Sequence, residues 1–246
     1  PTRAHGDLTL ELLSAGVDVL VEKPIAATVA EGKAMVAKAA ETGRILQVGH
    51  IERFNGAVMA LSRAVREPRF IECHRLSPYP SRGDDVSVVL DLMIHDLDIV
   101  LSFTGCDVVS VDAVGVSVFS HYEDIANARL RFGSGCVVNL TSSRVSPDRM
   151  RKIRVFEPDA YFSTNYTEQE VLVYRKKPGP VPAGVSPMDM VTIESLPVER
   201  DEPLKRELAS FIECVRERKR PVVSGQDGLA ALELAERIVD EIREHV

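Results

Sequence analysis

Between Val108 and Leu196, six stretches of strand-like alternation follow one another with no helical segment between them. They run Val108–Val118, Ile125–Phe132, Cys136–Ser142, Lys152–Phe156, Glu170–Tyr174 and Met190–Leu196. Strands joined this directly are antiparallel neighbours, because a parallel pair needs a long crossover connection. Gly133-Ser134-Gly135 punctuates a hairpin, and Pro178-Gly179-Pro180 marks a loop. The first fifty residues keep a different rhythm. A helix over 5–15 closes at Gly16, and the strand Val17–Val21 runs into Glu22-Lys23-Pro24. The capping box Thr28-Val29-Ala30-Glu31 opens a helix that Gly43 ends, and Ile45–Gly49 is the next strand. Helix and strand alternating through short loops describe a parallel α/β sheet.

The expected fold is therefore α/β: the C-terminal part of a doubly wound domain over 1–52, then an α+β domain over 53–246 with a large, mostly antiparallel open sheet. Helices are expected over 56–66 and 86–103, with two more at the end of the chain. A sheet that opens on a helix is expected to continue upstream, since half a sheet would expose an apolar edge strand.

Composition narrows the function. The chain of 246 residues carries 30 Lys and Arg against 37 Asp and Glu, a net charge of −7. That balance argues against a nucleic-acid binder, which needs a basic face. No apolar run approaches the ~20 residues that cross a bilayer. Pro1-Thr2-Arg3-Ala4-His5 lacks the apolar core of a signal peptide. Cys73, Cys106, Cys136 and Cys214 are isolated, with no zinc-like spacing, which fits a reducing cytoplasm.

Two places could carry chemistry. Lys23 ends a buried parallel strand, the edge at which open α/β sheets bind ligands. A lysine there donates to a substrate oxygen, and the proline after it invites a cis bond; the alternative is a surface lysine before a rigid turn. The second place is the apolar helix over 86–103, where Asp91, His95, Asp98 and Ser102 fall at i, i+4, i+7 and i+11. Burying such groups is costly unless they are paired or line a wet cleft. An Asp and a His one turn apart can share a hydrogen bond, making His95 a general base. A satisfied core pair is the alternative reading, and two spaced ligands are weak support for a metal. His5 and His50 lie near the presumed ligand edge; His74, His121 and His245 read as structural or surface residues.

Val19-Leu20-Val21-Glu22-Lys23-Pro24, then Val48-Gly49-His50 with Arg53-Phe54-Asn55, then Asp91-Leu92-Met93-Ile94-His95-Asp96-Leu97-Asp98, resemble the Gfo/Idh/MocA oxidoreductases. The resemblance extends through Asp201-Glu202-Pro203-Leu204 to the last helix. It implies a Rossmann domain that binds NAD or NADP, and a second domain that supplies most of the substrate pocket. Lys23, Asp91 and His95 would be the catalytic lysine, aspartate and histidine. Pro1 and Thr2 would lie beneath the nicotinamide, His5 near its ribose, with Glu22, Lys23 and Pro24 completing the cofactor edge. The family's glycine-rich phosphate loop and the acidic residue for the adenosine ribose lie upstream of the Glu-Lys-Pro strand, and this sequence contains neither. The expectation is a fragment of a longer protein; a non-catalytic binding module is the alternative.

The segment Gly49–Asn55 and the Val88–Asp96 run look most like the nucleotide-sugar branch, which resembles enzymes oxidising a ring hydroxyl of UDP-N-acetylglucosamine. Arg53, Asn55, Arg75 and Arg82 are the candidate substrate contacts, because arginine grips phosphate with two parallel hydrogen bonds. A free polyol or aldose, inositol-like, needs no such grip and is the alternative substrate. The face of the sheet away from its helices is expected to be partly apolar and to make a homodimer or homotetramer, with Val109, Val111, Val137 and Leu140 as outward candidates.

Overall fold

The structure, a computed structural model, describes residues 1–244 apart from 80–85, 106, 181 and 183. After a 3-10 turn at Thr2–Ala4 come α1 (His5–Ser14), β1 (Val19–Glu22), α2 (Val29–Thr42) and β2 (Leu46–Gly49). The two strands pair in parallel, Val19 opposite Leu46. The capping box forms as expected, with the Thr28 side chain accepting from the Glu31 N–H, and Gly43 ends α2 at φ 63°. Apolar side chains from both strands and both helices make a first core, including Leu13, Val21, Met35 and Val48.

The second unit runs α3 (Gly56–Ala64), β3 (Phe70–Leu76), a π-helical turn (Val89–Met93) continued by α4 (Ile94–Thr104), then β4 (Val108–Val116), β5 (Ile125–Phe132) and β6 (Val137–Ser143). It goes on with β7 (Met150–Phe156), β8 (Ala160–Asn165), β9 (Glu170–Lys176), β10 (Val191–Ser195), α5 (Pro203–Glu217) and α6 (Gly225–Glu244). The eight strands lie in the order β10-β9-β8-β7-β3-β6-β5-β4, and every neighbouring pair is antiparallel except β3 and β6. Strand β8 is the one the alternation did not reveal.

The second core fills the space between this sheet and the helices on one of its faces, with Ile71, Leu130, Val138, Ile153 and Val173 meeting Leu97, Ala235 and Ile238. Helix α6 joins the two units. Its Leu232 belongs to the first core while Ile238 and Ile242 belong to the second. Its start sits directly on β2: a Cβ on Gly228 would lie 2.5 Å from Val48 Cγ2, so only glycine permits this approach.

The far face of the sheet carries an aromatic ladder. Phe70 and Phe156 are 5.5 Å apart, Phe156 and Tyr161 4.6 Å, and Tyr161 and Tyr174 5.0 Å between ring centroids. Val137 continues this row beside Phe70, and Val109 is 69% exposed at the edge. Two of the outward candidates need correcting. Leu140 is fully buried under the helices, and Val111 packs against the same core, because the register at Val111–Leu130 and Ala128–Leu140 turns them inward. Cys73, Cys136 and Cys214 are free and buried, while Cys106 and His245 lie outside the described residues. No helix among the described residues is long and apolar enough to cross a membrane.

Candidate active site

A cleft of about 680 Å³ opens where the carboxyl end of β1 faces the π-helical turn. Its volume lies within the range of small-molecule sites. Lys23, immediately after β1, reaches across it: Nζ donates to the Asp91 backbone carbonyl at 2.6 Å and lies 3.3 Å from Asp91 Oδ1. The Lys23–Pro24 peptide bond is cis. Burial lowers the lysine's pKa, and the Asp91 carboxylate opposes that fall.

The polar stripe does not survive as a stripe. The helix is π-helical over Val89–Met93, which inserts a residue into the turn, so Asp91 and His95 no longer stack. Asp91 turns to Lys23, and among the described residues no hydrogen bond joins it to His95; the expected Asp–His pair is corrected to an Asp–Lys pair. His95 is partly exposed, its Nδ1 is buried without a partner, and its ring meets the His50 ring edge to face at 6.1 Å. Burial, then the charges of Lys23 and Arg75, push its pKa well below the ordinary histidine value. Asp98 pairs with Arg53 at 3.3 Å, and Ser102 donates to the Ile99 carbonyl.

The cofactor-edge residues gather at the cleft. Pro1, Thr2, Lys23 and Pro24 line it, and His5 Nδ1 donates to the Pro24 carbonyl at 3.0 Å. Glu22 is exposed beside Gly49, where a Cβ would lie 2.9 Å from Glu22 Oε2. Leu90, Ala26 and Leu232 give the same cleft an apolar wall. Arg3 also lines the cleft, so two cationic side chains, exposed Arg3 and half-buried Lys23, face a partly apolar slot, an arrangement that fits the nicotinamide end of a dinucleotide.

The substrate residues fare differently. Arg75 is 3% exposed and fully engaged, donating from Nε and Nη2 to Asp96 at 2.9 Å each and from Nη1 to Glu52 at 2.9 Å. Its ring neighbour is Tyr166, 5.5 Å away. Such a guanidinium has no fork left for a phosphate, so Arg75 is corrected to a buried brace. Asn55 caps α3, accepting from the Ala57 N–H and donating to the Tyr166 carbonyl, and is likewise structural. Arg53 lines two other clefts with Ser102 rather than the one holding Lys23. Arg82 lies outside the described residues.

Sequence reasoning missed one wall of the cleft. Tyr122 lines it from the β4–β5 loop, and no sequence signal singles it out. Asp124 shapes that loop, its Oδ2 accepting from the N–H groups of Val118, Phe119 and Ser120 at 2.8, 2.6 and 2.9 Å. Arg144, fully buried, donates to Asp124 at 2.7 Å and to the Val86 carbonyl at 2.8 Å, tying the loop to the segment that leads into the π-helical turn.

Residues 1–50 match a family model described as the oxidoreductase family with an NAD-binding Rossmann fold, and residues 56–160 match the GFO/IDH/MocA C-terminal domain. The chain is 34% identical to UDP-N-acetylglucosamine 3-dehydrogenase of Acidithiobacillus ferrooxidans, over 94% of this chain and 74% of that protein. It is 28% identical to scyllo-inositol 2-dehydrogenase (NAD(+)) of Bacillus subtilis, over 95% of this chain and 71% of that one. The solved structure of the Acidithiobacillus ferrooxidans enzyme superimposes with a TM-score of 0.91 at 30% identity, covering 99% of this chain and 77% of that one.

Proposed function

The chain belongs to the Gfo/Idh/MocA family of oxidoreductases, and from that premise we propose that it transfers a hydride between a sugar ring carbinol and a nicotinamide dinucleotide, on a nucleotide-sugar such as UDP-N-acetylglucosamine. The observation that carries this reading is Lys23 Nζ held on Asp91 at the carboxyl edge of parallel strands. A bound nicotinamide supplies the hydride acceptor. Pro1, Thr2, Lys23 and Pro24, which line the cleft, would hold its nicotinamide half, with His5 and Glu22 beside them.

The protein's own residues divide the remaining work. Lys23 donates to the substrate oxygen and stabilises it as negative charge builds there, an interaction stronger in the transition state than before it. Asp91 fixes the direction of the ammonium group and keeps it charged against its burial. His95, held neutral by the same burial, takes the hydroxyl proton.

A free polyol, inositol-like, is the second reading. It gains support from Arg75 and Asn55, whose donors are spent inside the protein and leave fewer groups for a pyrophosphate. Turnover of UDP-N-acetylglucosamine against free inositol and glucose, by the complete enzyme with NAD, separates the readings; turnover of the free sugars alone discards the nucleotide-sugar. The aromatic ladder on the open sheet face supports a homodimer or homotetramer assembled through it, and the free thiols of Cys73, Cys136 and Cys214 support a cytoplasmic location.

A further inference from the structure

Behind His95 the structure holds polar atoms that the reaction, as derived above, does not use. His50 follows β2 and is fully buried, yet neither of its ring nitrogens has a hydrogen-bond partner among the described residues. His95 Nδ1 is in the same condition, with the two rings edge to face at 6.1 Å. One turn further along α4, Asp98 is 2% exposed; Arg53 sits 3.3 Å from its Oδ1, while Oδ2 is buried without a partner. Orphaned buried donors and acceptors each cost about 1–3 kcal/mol, and native proteins answer them with bridging water. Four such atoms along one helix flank mark a polar seam through an otherwise apolar core.

The seam has an outlet. Asp98, Arg53 and Asp227 line a second cleft, of about 220 Å³, separate from the one that holds Lys23. Arg53 links the two groups, its backbone N–H donating to the His50 carbonyl at 3.0 Å while its guanidinium sits 3.3 Å from Asp98 Oδ1. We propose that His50 is a proton-relay residue, passing the proton collected by His95 through buried water to Asp98 and out by this second cleft. The proposal rests on the hydride-transfer reading above and adds the route by which the reaction's proton leaves.

The balance is simple. Oxidation of a carbinol sends a hydride to the nicotinamide and a proton to His95, which accepts it at one ring nitrogen and gives up the proton on buried Nδ1. A neutral imidazole carries one donor and one acceptor nitrogen, so His50 takes that proton on one side as it yields its own from the other. Burial pushes its pKa down to about 3, so it hands the proton on and does not store it. Asp98, pushed up to about 7 by burial, exchanges protons near neutrality.

The test compares His50→Leu and His50→Ala with wild type, using whichever of UDP-N-acetylglucosamine and inositol the enzyme oxidises. The relay predicts that kcat for oxidation falls roughly ten-fold or more in both while KM stays within about two-fold. The solvent deuterium isotope effect on kcat should rise, and added imidazole should restore part of the His50→Ala rate. An unchanged kcat, or a loss with neither a larger isotope effect nor imidazole rescue, overturns the relay. Should the His50 variants fail to fold, Asp98→Asn, which keeps the shape beside Arg53, must show the same lower kcat and larger isotope effect. Loss of turnover in His95→Ala beside unchanged His50→Leu rejects the relay alone; wild-type turnover in His95→Ala rejects His95 as the base and the relay with it; and no NADH from either sugar in the wild type rejects the hydride-transfer reading itself.

Discussion

Lys23 Nζ lies 2.6 Å from the carbonyl oxygen of Asp91 and 3.3 Å from its Oδ1, so the end of the parallel strand pair is tied to the π-helical turn of the sheet unit. The groups proposed to react therefore come from both units at once. Neither the strand-end lysine nor the helical carboxylate completes the site without the other.

Removing the charge of Asp91 should move the lysine in a known direction. The carboxylate raises Lys23's pKa against the burial that lowers it. In Asp91→Asn that support is gone, so the alkaline limb of the oxidation rate should shift to lower pH. A pH profile of kcat/KM reads it, and a limb that stays in place or moves up contradicts the pair's role.

The wild-type profile follows from the same shifts. His95 must be neutral to take a proton, and its pKa is held well below the ordinary value of about 6.5. Activity should persist as pH falls through 6.5, dropping only once the imidazole protonates further down. At the other end Lys23 must stay protonated, and its pKa is below the ordinary lysine value of about 10.4. Activity should be lost as pH rises through that lowered pKa. An acid limb centred above the ordinary histidine value would count against His95 as the base.

Arg75 should behave as a brace. Arg75→Met leaves buried Asp96 without its cation and Glu52 with only Arg151 at 3.6 Å, a defect that typically costs about 3–5 kcal/mol. Urea denaturation should show a loss of about that size, with KM for the sugar substrate little changed in the protein that remains folded. A stable variant with a raised KM would restore Arg75 to the phosphate site.

The open sheet face should govern assembly. A double change of Phe156→Glu and Tyr161→Glu places charges in the aromatic ladder, whose rings there are 4.6 Å apart. Light scattering at micromolar concentration should show a dimer or tetramer for wild type and a monomer for the double variant. A wild-type monomer would sink the proposed interface.

Much of this architecture could be read directly from sequence, and the exceptions have physical causes. Gly16, Gly43 and Gly133-Ser134-Gly135 marked boundaries because helix ends and tight turns take φ angles that other residues avoid. Strand β8 escaped because its inward positions, Ala160, Phe162 and Thr164, include only one large apolar side chain, so two-residue alternation was faint; Tyr161 and Phe162 beside Pro158-Asp159 were the available signal. Lys23 and Asp91 do meet across the cleft, while the expected Asp91–His95 pair does not form. A π-helical turn leaves no trace in apolar periodicity, and it moved Asp91 from His95 to Lys23. Arg75 misled for a related reason: its partners Glu52 and Asp96 lie 23 and 21 residues away, and a buried ion pair between distant segments looks, in sequence, like a free arginine.

The most direct test of the account is a single-turnover measurement of NADH formation by the complete enzyme with UDP-N-acetylglucosamine, in wild type, Lys23→Met and His95→Ala. The account predicts NADH from wild type and a hydride step at least ~100-fold slower in each variant, with sugar binding largely retained. Wild-type turnover in His95→Ala or in Lys23→Met would contradict it.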